Sequence, residues 1–489
     1  MGRRMVSHMF NLLLSAVLAS ASCLAARAQV LVPVMPEKDG PEASALYRVE
    51  LRPKKGQTWQ SVPVIRCDVN TRRVQQAAFA EWDMDEPVEL RIVRRSALGK
   101  RCPVVVRPAS RGIVPKVVDD STVTLTLERP EFLSVEFDGD RMHNLHLLAN
   151  PVLRERHQPT EPQSIDWVGE RSQDVFVRHP RLIYFGPGVH RPKDLPSAEI
   201  RIPSNCTVYL APGAVVKARL IVDHAENVRI VGRGIVDHPL RGVEITYSRN
   251  VLVEGLTFLN PAHYTVYGGE STDITVRGIK SFSARPWSDG IDLMCCRRVR
   301  IERCFLRTSD DCIALYNHRW WFWGGSQDIV ARACVLWPDV AHSVNIGSHG
   351  DDRNPEGETL RDVLIEDCDV LQGIDGHGLL AVNCGDINHI RNVRFENIRC
   401  EGISEARLFD LRVLFSPKYN RAPGCCVDSV SFSRIRVDEA SAACMSPSHV
   451  SDYDSAHSVR RYFLKDVSLG RRSFDPERDV VRLQREKGE

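Results

Sequence analysis

Eight short phrases of alternating apolar residues recur along the chain, and they constrain its fold more than any other feature. They begin at Asn227, Asn250, Asp273, Arg298, Asp328, Asp362, Asn392 and Ser429, as in Asn227-Val-Arg-Ile and Asp362-Val-Leu-Ile. The interval between starts grows from 23 residues to between 30 and 37. Each phrase has the period of two expected of a strand with one buried face. Helical repeats would show a 3.6-residue period and long Ala/Leu-rich stretches instead. A single strand cannot bury its apolar face alone but can do so against its next copy, so the pattern predicts a parallel β-helix with loops of unequal length.

Stacking brings equal phases of successive coils about 4.8 Å apart. Counted from the start of its own phrase, Asp289 stands at offset 16, Asp310 and Asp311 at 12 and 13, His342 at 14, and His377 and Arg407 at 15. These side chains are therefore expected on one stripe of one face. Asp289 and Asp310 are 21 residues apart, about one coil. Cys304, Cys334 and Cys368 each stand six residues after a phrase start and should form a ladder, packing as small apolar groups. No CxxC finds a partner at zinc spacing, so neither a metal nor a cofactor is expected. Cys295, Cys296, Cys425 and Cys426 are disulfide candidates whose pairing the sequence leaves open.

A chain of 489 residues, 43% hydrophobic, can bury an extended core and carry a second domain. Its 65 basic and 63 acidic residues give no nucleic-acid footprint and no polybasic membrane patch. Residues 1–28 read as a secretory signal, with Arg3 and Arg4 ahead of an apolar stretch and a cut expected after Ala28. No later run is long enough to span a bilayer, so a secreted or periplasmic protein without stable membrane association is expected. Residues 29–165 carry alternating strands between Pro and Gly turns and predict an antiparallel β-sandwich, in which Trp59 or Trp82 is either a sugar platform or a core residue. The polar stretch from Gln158 to Val177 predicts a linker over 166–181, and the β-helix is expected over 182–489.

Three motifs then resemble a known family. Trp287-Ser-Asp-Gly-Ile-Asp292 is similar to the Asn-Thr-Asp-Gly-x-Asp motif of the polygalacturonases, glycoside hydrolase family 28; Ser309-Asp-Asp-Cys is similar to their Gly-Asp-Asp-Cys. Ala341-His-Ser-Val-Asn-Ile-Gly-Ser348 resembles their Gly-His-Gly-Leu-Ser-Ile-Gly-Ser. The resemblance covers about 180 to 470 and implies a right-handed parallel β-helix that hydrolyses a polysaccharide. It implies Asp310 as general acid, Asp289 and Asp311 as the groups that position and deprotonate water, and His342 as the residue that orients the acid or tunes its proton affinity. Such chemistry needs one protonated and one ionised carboxyl in an inverting enzyme, and crowded carboxylates raise one pKa. The family's Arg-x-Lys pair, which holds the substrate carboxylate, is missing: the coil after His342 reads Asp375-Gly-His-Gly-Leu-Leu, and Arg407 and Arg412, one coil later, are the candidates to bind substrate in its place. The two-domain layout is also similar to glycoside hydrolase family 49, the dextranases and isopullulanase, whose neutral glucans need no basic pair.

Trp320, Trp321 and Trp323, in the insertion Asn317–Gly325, are candidate subsite walls because indole faces stack on sugar rings. His377 is expected as a subsite contact or a corner residue. Asp292 is expected to serve the coil turn, and Asp351-Asp352 to lie in a solvated loop rather than a calcium site. A polysaccharide lyase or a non-catalytic carbohydrate-binding β-helix are the alternatives. Sugar, linkage, endo or exo action and oligomeric state stay open.

Overall fold

A computed structural model describes residues 29–95, 102–167, 172–193, 198–374 and 376–484. The expected signal at 1–28 lies outside the described residues.

The phrases form strands, and each first residue has a specific backbone task. Asn227, Asn250, Asp273, Arg298, Asp328, Asp362, Asn392 and Ser429 all have φ between 51° and 59°, the left-handed region that Asn and Asp tolerate best. This twist lets the strand turn a corner, and the pairing register skips the residue: Arg249 pairs with Thr272, then Val251 with Ile274. The side chains at these corners stack as hydrogen-bonded ladders. Asn250 Nδ2 donates to Asn227 Oδ1 at 2.8 Å, and Asn392 Nδ2 donates to Asp362 Oδ1 at 2.7 Å.

Successive coils pair in parallel through a long sheet of 22 strands and through a second parallel sheet that runs from Glu199–Arg201 to Val480–Gln484. The result is a parallel β-helix. Its interior is a column of Val, Ile, Leu and Phe, with Cys304, Cys334 and Cys368 fully buried in the predicted ladder. All fourteen cysteines among the described residues are free thiols, including Cys295, Cys296, Cys425 and Cys426.

Residues ahead of the coil form two sheets with a shared core that includes Val49, Leu51, Trp82, Leu90 and Phe137. Trp82 is thus a core residue, and the Trp59 ring lies between the guanidinium groups of Arg52 and Arg91, at 4.6 and 4.4 Å. Most pairings in these sheets are antiparallel, although Gln75–Met84 and Leu145–Pro151 pair in parallel. The sandwich packs directly on the coil, where Phe79, Phe132 and Leu148 meet Phe282, Phe305, Trp337 and Leu371. A buried ion pair and a buried hydrogen bond cross the same contact. Lys280 Nζ lies 2.6 Å from Glu81, and Arg307 donates to Asn144 at 2.8 Å while paired with Asp339.

The described residues of the segment expected as a linker are folded. Ser164–Asp166 pairs in parallel with Leu182–Phe185, and Trp167 and Val175, on either side of the start of helix Ser172–Val177, are buried in the coil core. An open β-helix end exposes apolar rungs and unpaired strand edges, and this segment covers them.

Candidate active site

Three rungs of the second sheet carry the acids. Strands Ile291–Met294, Ile313–Tyr316 and Val344–Gly347 stack with Ile291, Ile313 and Val344 in one column. Asp289, Asp311 and His342 each stand two residues before that column, so they share one phase, and Asp310 stands one residue earlier. Gly290 is required by this stacking, because a Cβ there would meet the Cys312 carbonyl oxygen at 2.3 Å.

Oxygens of Asp289, Asp310 and Asp311 lie within 4.8 Å of one another; among the described residues this is the group that could hold a cation, and the same atoms are those that acid/base chemistry needs. Asp311 is the best satisfied of the three. Its Oδ1 accepts from the backbone N and Nδ1 of His342, at 2.9 and 2.7 Å, and its Oδ2 accepts from Asn345 Nδ2 at 2.8 Å. Of the two roles expected for His342, its hydrogen bonds orient Asp311 rather than Asp310, because stacking puts it in phase with Asp311, while its charge acts on the proton affinity of Asp310.

These contacts separate the carboxyls in proton affinity. Burial works against the charged form of Asp311, but the charge and hydrogen bonds of His342 and the Asn345 amide hold it below the usual carboxylate range. Asp310 is pushed up to about 6 by burial and then by the Asp311 carboxylate. Asp289 is pushed well above the usual range, by burial first and then by Asp292, Asp310 and Asp311, and its buried Oδ1 accepts no hydrogen bond.

Asp292 is a fourth carboxyl that the sequence reading assigned to a coil turn. It lies in a strand, between the core residues Ile291 and Leu293, so period two turns it outward onto the outer face of the second sheet, a floor beside the acids. That floor continues through in-register Glu244, Tyr267, Asn345 and Asp410. Asp292 is fully buried, neither of its oxygens accepts a hydrogen bond, and burial pushes its carboxyl well up against the pull of Arg319. Arg319 Nη1 is 3.9 Å from it.

The remaining expected residues divide. His377 packs edge-on to His342, ring centroids 5.0 Å apart. Arg407 pairs in register with Gly378, its Nε donating to His449 Nε2 at 3.1 Å. Arg412 is tied to Asp410, two residues back, through Nε at 2.6 Å. Trp321 is exposed, as a sugar platform requires. Trp320 is half-buried, stacked between Tyr264 and Trp321 at 5.8 and 5.6 Å. Trp323 is not a free wall: His318 stacks on its ring at 3.4 Å and the Arg353 guanidinium lies 3.6 Å from its centre, so both faces are covered. The sequence reading passed over Trp287. It is 66% exposed at φ 57°, and its backbone N–H helps to lower the proton affinity of Asp310. The signal was present, since it stands two residues before Asp289.

The family model "Glycosyl hydrolases family 28" matches residues 206–449. A polygalacturonase of Chamaecyparis obtusa is 33% identical over 114 residues, 23% of this chain and 20% of that protein. A probable polygalacturonase of Arabidopsis thaliana is 22% identical over 246 residues, 50% of this chain and 47% of that one. The chain thus spans between a fifth and about half of the length of these relatives. Among solved structures, Dex49A from Penicillium minioluteum shares the fold, with TM-score 0.53 and 14% identity over 83% of this chain and 90% of that one. The matched coils are those that assemble Asp289, Asp310, Asp311 and His342, and through them the chain belongs to glycosyl hydrolases family 28.

Proposed function

We propose that this chain is a secreted glycoside hydrolase that cleaves a galacturonate-bearing polysaccharide with inversion at the anomeric carbon. The observation that carries the reading is the division of labour within the acid cluster. Asp310 keeps its proton up to about pH 6 and can give it to the leaving oxygen, while Asp311 is ionised beside it and can take a proton from water. Asp289, whose proton affinity is raised by burial and by its neighbours, lies next to both and positions that water.

A retaining mechanism would need a carboxylate with a lone pair free for attack. Asp311 has one such lone pair, on Oδ2, which accepts only from Asn345; in this reading it takes the water proton, so water rather than a carboxylate is the nucleophile. The three acids are closer than the about 6.5–9.5 Å usual for an inverting pair. Three carboxyls in place of two allow water to be held on one flank while Asp310 faces the leaving group.

The test is reducing-sugar release from polygalacturonate, methyl-esterified pectin, dextran and galactan, with product anomers read by NMR and ultraviolet absorption recorded. Release from polygalacturonate with inverted product is expected, and Asp310→Asn should cut kcat about 10³-fold while the polymer still binds. Unsaturated products would make the chain a lyase, cleavage of dextran or galactan alone a neutral-glycan hydrolase, and binding without cleavage by the unaltered protein an adhesin.

A further inference from the structure

An acidic sugar brings a carboxylate to a site already crowded with carboxyls, and a cation must receive it. The coil after His342 provides none, since Gly376, His377 and Gly378 stand where a basic pair would be, and a Cβ at Gly378 would meet Asp410 at 2.5 Å. Two coils on, Arg412 is held by Asp410 and Arg407 by His449.

Arg319 differs from both. It arises from the insertion after strand Ile313–Tyr316, which is pinned at several points. His318 N and Gly324 N donate to the two oxygens of Glu358 at 2.9 and 2.6 Å, and Asn317 Nδ2 donates to Asn388 at 2.9 Å. The guanidinium is held among three rings, 4.8 Å from the centre of Tyr316, 5.3 Å from Trp320 and 5.6 Å from Tyr264. These cation–π contacts fix its plane without using its N–H donors. The side chain is 22% exposed, and among the described residues it donates no hydrogen bond. Its nearest carboxylate, Asp292 at 3.9 Å, is beyond hydrogen-bond reach. No Arg319 nitrogen is among the buried atoms without a partner, so its donors stay open to solvent and to a ligand, and the planar fork matches a carboxylate in bidentate geometry. Asp292 stands three residues from Asp289, so this cation borders the reacting acids.

We propose that Arg319 is the specificity determinant for an acidic sugar, receiving the substrate carboxylate in place of a basic pair on the later coils. This rests on the galacturonan reading above. Arg319 acts on binding and does not enter the proton transfers.

The test compares oligogalacturonate with the same oligomer fully methyl-esterified, for the unaltered protein, Arg319→Gln and Arg319→Lys, with thermal unfolding of each. Affinity is also measured in the Asp310→Asn background, which needs no turnover. Arg319→Gln should weaken oligogalacturonate about 30-fold, chiefly in KM, which is about 2 kcal/mol; the ester should change less than about threefold. Arg319→Lys keeps the charge and loses the fork, so it should recover part of the loss, and it carries the test should the Gln variant not fold. Equal losses on acid and ester would make Arg319 a structural counter-charge for Asp292 and overturn the proposal, as would undiminished affinity for the acid. Failure of the unaltered protein to bind or cleave oligogalacturonate would overturn the galacturonan reading first, and is seen before any substitution is made.

Discussion

The dependence of hydrolysis on pH follows from which clustered carboxyl keeps its proton. Asp310 sits near 6 because it is buried beside the Asp311 carboxylate, whereas His342 and Asn345 keep Asp311 ionised below the usual range in spite of burial. Turnover from the free enzyme requires Asp310 neutral and Asp311 charged together, so kcat/KM follows the population of that one state. The signs are opposite for the two groups. The donor is lost as pH rises through about 6, and the base is lost only as pH falls below the ordinary carboxylate value. Between pH 5 and pH 7 the neutral fraction of a group titrating near 6 drops from about nine-tenths to about one-tenth, so kcat/KM should fall about tenfold. The limbs belong to the coupled cluster rather than to single residues, which Asn345→Leu exploits. Loss of the amide donor raises the proton affinity of Asp311, moving the acid limb upward while the alkaline limb stays near 6. The assay is initial-rate release of reducing ends from polygalacturonate below KM at constant ionic strength, with thermal unfolding recorded at each pH. A profile flat from pH 5 to 7, or one that rises through 6, would refute Asp310 as the proton donor. An acid limb unmoved in Asn345→Leu would refute the account of Asp311.

The same cluster is a stability liability above its unfolded pKa. Asp289 is raised in the folded state, so the cost of ionising it grows as pH rises above about 4; Asp289→Asn should stabilise the fold by about 1–2 kcal/mol at pH 7 and by almost nothing at pH 3.5 in thermal melts. Trp337 is wedged in the sandwich-coil contact under the guanidinium groups of Arg141 and Arg307, each 4.4 Å from its centre. Trp337→Ala should cost about 3–5 kcal/mol, and calorimetry should show sandwich and coil still unfolding in one transition; an early separate transition for the sandwich would argue against a shared core. Trp287→Ala should raise KM about fivefold by removing an exposed platform beside Asp310, whereas Trp323→Ala should leave KM within twofold because both faces of that ring are covered. The reverse order in steady-state kinetics would move the sugar path away from Asp310.

A stacked fold makes sequence phase into spatial position, which is why the acid cluster is legible in the sequence, although the phase depends on the direction of counting. Measured forward from the preceding phrase, Asp289, Asp311, His342 and Arg407 scatter over offsets 13 to 16, because corner loops of different length intervene. Measured backward from the next apolar phrase they coincide: Asp289 before Ile291-Asp-Leu, Asp311 before Ile313-Ala-Leu, His342 before Val344-Asn-Ile and Arg407 before Phe409-Asp-Leu, each by two residues. One residue is decisive here, since side chains alternate between faces. It separates Asp310, which keeps access to solvent, from Asp311, which is buried against His342, and it would have turned Asp292 outward rather than into a turn. No such counting reaches Arg319. Its position depends on how the insertion folds back across two rungs and is pinned by Glu358, some 40 residues on; the spacing of strands carries no information about a loop held by contacts outside its own coil. The chemistry of this site is therefore written in the repeat, and its choice of substrate in the departures from it.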